Sequence, residues 1–262
     1  LLGGYAEAER EYRTLVEVGE RGQLRGAFYA KIARQHADLL FLQGWFNEAK
    51  DSLNHILSIT EAESVQWAET IRISGHIHRF NFDLVSAEVA YRRSLQVAEA
   101  VEAIGLTAKL KTNLCETLCW REPSNAIAVG EEAVRQNESL GSTIEIGKVK
   151  AALAIARALA DEEGAPDALE AMELQRLTGY RSGVLFGIVA AAIIARARGN
   201  QDLFQSYRSE ARALASELGV YSFTDLPLAV LAGERASVEN IADWLDFKRA
   251  YSNCNAALAK LV

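Results

Sequence analysis

Only three prolines occur in 262 residues, and half of the chain is hydrophobic. That combination excludes a proline-rich linker and a disordered tail, and it suits long helices. Cysteine is scarce as well. Cys115, Cys119 and Cys254 are an odd number in a long chain, which argues against a disulfide framework and for a reducing, cytoplasmic compartment. No apolar run is long enough to cross a membrane. The most apolar stretch, Gly183 to Ala195, falls short of the roughly 20 residues a bilayer requires and reads as a helix buried on most sides. An excess of positive charge is missing too: 28 basic residues face 35 acidic ones, for a net charge of −7, which disfavours non-specific binding to nucleic acid. There is no signal peptide, no Gly-rich phosphate loop, no HExxH and no nucleophile elbow. The carboxylates sit at positions typical of solvated helix faces. These absences point away from an enzyme, and no cofactor is implied.

What is present is a repeated phrase. Gly44-Trp45-Phe46-Asn47-Glu48-Ala49 continues to Leu53, Ile56 and Leu57, so a turn glycine is followed by an aromatic, a small residue and large apolar residues at fixed intervals. The phrase opens the chain at Gly3-Gly4-Tyr5-Ala6-Glu7-Ala8 and returns at Leu84 to Leu95. Aligned on the small residue it reads Ala8, Ala49, Ala87, Ala126 and Ala168, with a weaker sixth copy in which Phe204 takes that place. A period near forty is one helical hairpin per repeat. Ala49, Leu53, Ile56 and Leu57 fall on one helix face, as do Ala87, Ala90, Tyr91, Ser94 and Leu95. No alternating run is long enough for a strand. Gly44, Gly105, Gly141, Gly164, Gly199 and Gly219 are candidate helix stops, and Ser142 or Thr143 a candidate cap.

The pattern resembles the tetratricopeptide repeat, in which a small residue in the first helix of each hairpin faces the alanine of the second. Counting back from the second-helix alanines places Ala37, Gly75, Leu114 and Ala156 there; Leu114 departs from the family, as do Phe82 and Arg121 at the loop glycine. The family's proline after the second helix is absent, and the period exceeds the usual thirty-four. The long period is similar to that of the arrays in bacterial signal-transduction ATPases and MalT-like regulators, or in kinesin light chain. The resemblance implies an all-α, right-handed superhelical solenoid. Residues 1–219 would form about six repeats, the first of them truncated, so that the chain reads as part of a larger protein. Residues 220–262 would form a helical cap, with one long amphipathic helix from Ser237 to Val262.

In that family the first helices line a concave groove, and the implied groove positions include Lys31, Arg34, Asp38 and Phe41; Glu69, Arg72, His76 and Arg79; Lys111 and Cys115; Lys150, Leu153 and Arg157; and Phe186, Val189 and Ile193. Lys and Arg dominate the N-terminal half of this set, and apolar residues the C-terminal half. The expected function is therefore a non-catalytic module that binds an acidic or phosphorylated protein segment. Arg34, Arg72 and Lys111 would supply charge, flanked by Lys31, Asp38, His76, Arg79, Lys150 and Arg157. No membrane or nucleic-acid contact is expected of this chain. The alternative is an effector-sensing domain of a larger bacterial regulator. Cys115 and Cys119, with His76 one repeat earlier, are the one group with metal-ligand character. Cysteine is also an ordinary small packing residue, and no metal is expected.

Overall fold

Helix follows helix in the computed structural model, which describes residues 5–22, 26–42, 45–218, 227–228, 230–232 and 244–259. In chain order the helices are α1 (Tyr5–Glu20), α2 (Gly26–Leu42), α3 (Phe46–Ile59), α4 (Val65–Phe80), α5 (Leu84–Ala100) and α6 (Ile104–Leu118). There follow α7 (Pro123–Ser139), α8 (Thr143–Leu159), α9 (Ala165–Leu177), α10 (Arg181–Ala197), α11 (Gln201–Leu218) and α12 (Trp244–Leu258). No strand occurs among the described residues. From α1 to α11 each helix packs on the next, and the first helices of successive hairpins (α2, α4, α6, α8, α10) also touch one another. The chain is thus an all-α solenoid of tetratricopeptide-like hairpins, with the even-numbered helices inside.

The repeated small residue explains the stacking. Ala49, Ala87, Ala126 and Ala168 are buried completely or nearly so, as is Phe204 in the sixth copy. One close approach is between α4 and α5: a Cβ on Gly75 would lie 2.6 Å from the Tyr91 ring, which is itself fully buried. Tyr91 fills space that any side chain at position 75 would need.

The turns supply their own stops and starts. Gly141 and Gly199 take positive φ, as expected, whereas Gly105 and Gly164 do not. Gly44 and Gly219 lie outside the described residues. Ser64 accepts a hydrogen bond from the Trp67 N–H (3.2 Å), and Asp83 accepts one from the Ser86 N–H (3.3 Å). Ser142 occupies the cap position of α8 without a side-chain cap bond. Phe82 stands at φ 50°, where a left-handed backbone costs an L-residue about 1–2 kcal/mol. Its ring is buried against Trp120, with centroids 5.6 Å apart. Burying a phenylalanine contributes roughly 1.5–3 kcal/mol, enough to offset the strain.

The stacking gives the array two edges: turns within hairpins lie along one, turns between hairpins along the other. The C-terminal residues return to the first edge. The Asn253 amide donates to the Asn81 carbonyl (3.5 Å), and Ala256 and Ala257 face the Phe82–Val85 and Trp120–Pro123 turns across a cleft of about 490 Å³. Leu228, Val230, Leu231, Cys254 and Leu258 are buried in the main core. Of the helix expected from Ser237 to Val262, α12 is the described part; its first residues, 237–243, and its last lie outside the described residues.

Alanine in place of a helix-interior glycine ordinarily stabilises by about 0.5–1 kcal/mol. At Gly75 the Tyr91 ring reverses the sign. Gly75→Ala is expected to lower stability by about 1–3 kcal/mol, whereas Gly105→Ala, with open space around it, is expected to be neutral or stabilising. Urea denaturation midpoints of the two variants check the contrast.

Candidate functional site

The inner face of α2 and α4 gathers charged side chains into one network. His76 sits at its centre: its Nδ1 is 3.4 Å from Asp38 Oδ1 on α2, and its Nε2 lies 3.1 Å from Arg72 Nη1 and 3.4 Å from Asn113 Oδ1 on α6. Arg72 Nε donates to Glu69 Oε2 at 2.9 Å. Among the described residues Arg34 hydrogen-bonds only the Gln66 carbonyl, at 3.5 Å, and feels the charge of Glu69. One turn along α4, Arg79 pairs with Glu116 of α6 (3.5 Å), whose Oε2 also accepts from Asn113 (3.0 Å). On α8, Lys148 pairs with Glu145 at 2.8 Å. Four successive first helices therefore contribute to one polar surface.

Five of the expected site residues belong to it: Arg34, Asp38, Arg72, His76 and Arg79. Lys31 is exposed on α2. The other three take a different direction. Lys111 pairs with Glu132 of α7 (2.6 Å), Lys150 with Glu170 of α9 (2.9 Å), and Arg157 with Glu131 of α7 (3.1 Å) and with Asp167 of α9. The line Arg34–Arg72–Lys111 is accordingly broken after Arg72. Gly130 is the reason. Without a side chain there, α7 admits Cys115 and Leu153, whose atoms would lie within 3 Å of a Cβ at that position. The face carrying Lys111 and Cys115, or Lys150 and Leu153, is thereby turned towards the second helices. There it meets acids; the corresponding stretch of α5 carries Arg92 and Arg93 instead, so Arg72 turns to Glu69 and His76.

In consequence Asn113, Glu116, Glu145 and Lys148 line the inside, and a fixed register from the family geometry missed all four. Two signals in the sequence mark the change. One is Gly130 within a helix, a sign of close approach. The other is the turn 160–164, longer than the turn 81–83, which displaces any register counted back from α9.

Fields within the network are strong. Burial opposes ionisation of Asp38, but the hydrogen bond from His76 and the charges of His76, Arg72 and Lys148 outweigh it and hold the carboxyl below its ordinary range. Glu69 and Glu145 are held low likewise, by Arg72 and Lys148 respectively. Arg72, although buried, is held fully charged by Glu69 and Asp38. Burial pulls the His76 pKa down, and the repulsion of Arg72 and Arg79 adds to it against the pull of Asp38. Arg34 is the exception among the arginines: burial and the neighbouring Arg72 disfavour its charge, and Glu69 compensates only in part. The site is recessed without being sealed. Asp38 keeps 38 % of its side-chain surface while Lys148, three hairpins further on, still acts on it.

Towards α10 the inner face becomes apolar. Ala151, Ala152, Ile155, Phe186 and Val189 line a narrow space of about 20 Å³ between Arg79, Glu116 and Lys148, and Pro227 of the C-terminal segment reaches it. The cysteines face elsewhere: Cys115 Sγ points to the Ala126 carbonyl (3.4 Å) and Cys119 Sγ to that of Glu116 (3.3 Å). Burial pushes both thiols up. The nitrogens of His76 are turned to Asp38, Arg72 and Asn113, so the trio does not converge.

No family model and no curated protein matches the sequence. Solved structures do share the architecture. BtubC (BKLC) from P. vanneervenii superposes with a TM-score of 0.54 at 14 % identity, over 84 % of this chain and 91 % of that one. A Rap protein solved in complex with competence and sporulation factor gives 0.66 at 13 % identity, over 97 % of this chain and 76 % of that one. At such identities the likeness is one of fold, and it agrees with a tetratricopeptide-like array.

The network gives stability a pH dependence. His76 binds its proton less readily folded than unfolded, so its contribution is complete above the ordinary value of 6.5 and is lost as pH falls below it. Asp38, Glu69 and Glu145 are depressed too, and their contribution is lost only further down, below their ordinary values of 3.8 and 4.5. The melting temperature is expected to fall in two steps on acidification. In His76→Gln the upper step should shrink and the lower one persist through Glu69 and Glu145, which Arg72 and Lys148 hold low, with the Asp38 part reduced; scanning calorimetry from pH 8 to pH 3 reads both.

Proposed function

We propose that the protein is a non-catalytic binding module that receives an acidic or phosphorylated protein segment on its concave face. The observation that carries this reading is Arg34. Arg72, Arg79 and Lys148 each have a paired carboxylate, whereas half-buried Arg34, among the described residues, has one long hydrogen bond to a carbonyl, and its neighbour Glu69 is already taken by Arg72. A guanidinium removed from water without a matched anion is where a carboxylate or phosphate gains most. Arg72 lies beside it, and Arg72, Arg34 and the exposed Lys109 of α6 all act on Glu69. The neighbouring network is already paired, which fixes rotamers before a ligand arrives. Asp38, Glu116 and Glu145 further along the recess favour a segment whose negative group is confined to the Arg34 end. The domain division follows: residues 1–219 as the array that binds, residues 220–262 as a C-terminal element covering one edge and reaching the apolar half of the inner face. A cytoplasmic setting fits three buried free cysteines.

A second reading has a specific support. The Rap protein was solved with competence and sporulation factor bound, and its fold covers nearly the whole of this chain. An effector-sensing role within a larger regulator of the bacterial ATPase or MalT-like kind would use the same concave face. A nucleotide-binding module in the same reading frame would favour it.

The test is a pull-down from host lysate with wild type, Arg34→Ala/Lys109→Ala and Arg34→Lys, followed by titration of the captured segment. The double variant is expected to weaken binding about tenfold or more, equivalent to ~1.4 kcal/mol, with an unchanged circular dichroism spectrum. Arg34→Lys should fall between. Equal affinity for all three would exclude Arg34 as the anchor.

A further inference from the structure

The two edges of the array are finished differently. Along the edge of turns within hairpins, Phe82 and Trp120 are buried and α12 lies over them. Along the other edge the three middle turns between hairpins each leave two apolar side chains partly exposed: Ile59 with Val65, Val101 with Ile104, Leu140 with Ile144. Ile104 keeps 69 % of its surface and Ile59 52 %. Phe28 and Leu177, at the turns before and after, extend the row. Eight of the fourteen large apolar residues exposed among the described residues fall on this one edge, a minority of the surface. Scattered exposed residues need no explanation, but a row recurring at successive repeats does.

At the three middle turns the unpaired charges among the described residues have one sign, whereas Lys31 near Phe28 and Arg176 and Arg181 beside Leu177 are basic. Residues 58–66, 94–108 and 136–147 contain no Lys or Arg, while Glu61, Glu99, Glu102 and Glu138 are exposed there with no ion pair among the described residues. Such an edge repels a second copy of itself and an anionic membrane alike. It attracts a surface that is apolar and basic.

We infer that this edge is a docking site for a basic amphipathic helix of a partner protein. Spacing supports a helix. First helices packed side by side stand about 8–10 Å apart, and a helix rises about 1.5 Å per residue. A partner helix lying across the turns therefore meets successive turns about every five to seven residues, and the heptad of an amphipathic face matches the wider end of that range. The site is independent of Arg34 and of the concave face.

The probe is a labelled synthetic peptide of three heptads (about 21 residues) with Leu at the two apolar positions and Lys elsewhere, beside the same peptide with Glu for Lys. Fluorescence anisotropy is read for wild type, Ile104→Ser/Ile144→Ser, Glu99→Lys/Glu102→Lys and the off-edge control Val89→Ser/Leu169→Ser, each checked by its melting temperature. Expected are binding of the Lys peptide alone, at least tenfold weaker for both edge variants and unchanged for the control, and protection from hydrogen exchange over 59–65, 99–104 and 138–144. Equal binding by wild type and edge variants, or equal loss in the control, would overturn the assignment. So would dimerisation of wild type that Ile104→Ser/Ile144→Ser abolishes, or flotation of wild type with phosphatidylserine vesicles.

Discussion

A helical hairpin has two flanks and can cover both only by stacking between neighbours of the same kind. Everything else in this molecule depends on that constraint. Close stacking demands a small residue at the contact, and Ala49, Ala87, Ala126 and Ala168 meet the demand with almost no surface left exposed. Where one contact residue is enlarged the opposite one shrinks, as Tyr91 against Gly75, or Cys115 and Leu153 against Gly130. Stacking of this kind leaves a solenoid with an inner face, an outer face and two edges, each free to diverge.

The inner face illustrates how a packing choice becomes an electrostatic one. Gly130 admits Cys115 of α6 and Leu153 of α8 against α7, and with those residues facing α7 other ionisable groups of α6 and α8 line the recess. Glu116 and Glu145 come in; Lys111 and Lys150 go out to acids on α7 and α9. The recess is therefore a network of alternating charges, less basic than a uniform register would make it. Removing charges from water is costly unless each is matched, and here nearly all are. Arg34 stands out because it is the one arginine of the recess whose charge its surroundings disfavour.

Much of this was legible in the sequence. The period of the alanines, the spacing of Leu53, Ile56 and Leu57, and the glycines at 141 and 199 specify hairpins because each encodes a local geometric need. That Arg34, Asp38, Arg72, His76 and Arg79 share one surface was legible too, since the count back from the second-helix alanines places them together on α2 and α4; their pairing into a network was not. Beyond α4 the register depends on how wide each helix contact is and how long each turn is, and both are set by pairs of residues distant in sequence. Leu153 and Gly130 form such a pair. Phe82 in a glycine's place shows the same limit: its reason is Trp120 and the helix above it, which no local pattern contains.

The two edges differ as well. α12 faces the Phe82 and Trp120 turns on one, the inner face holds a polar recess, and the opposite edge carries exposed apolar residues and, among the described residues, unpaired acids at its middle turns. The central claim is that recognition takes place in the recess, at Arg34. The most direct measurement is a crystal structure of the protein with the segment it captures. The account expects a carboxylate or phosphate oxygen within hydrogen-bond distance of the Arg34 guanidinium and a chain running along the inner faces of α2 and α4. A segment bound outside the recess, with Arg34 still on the Gln66 carbonyl, would contradict it.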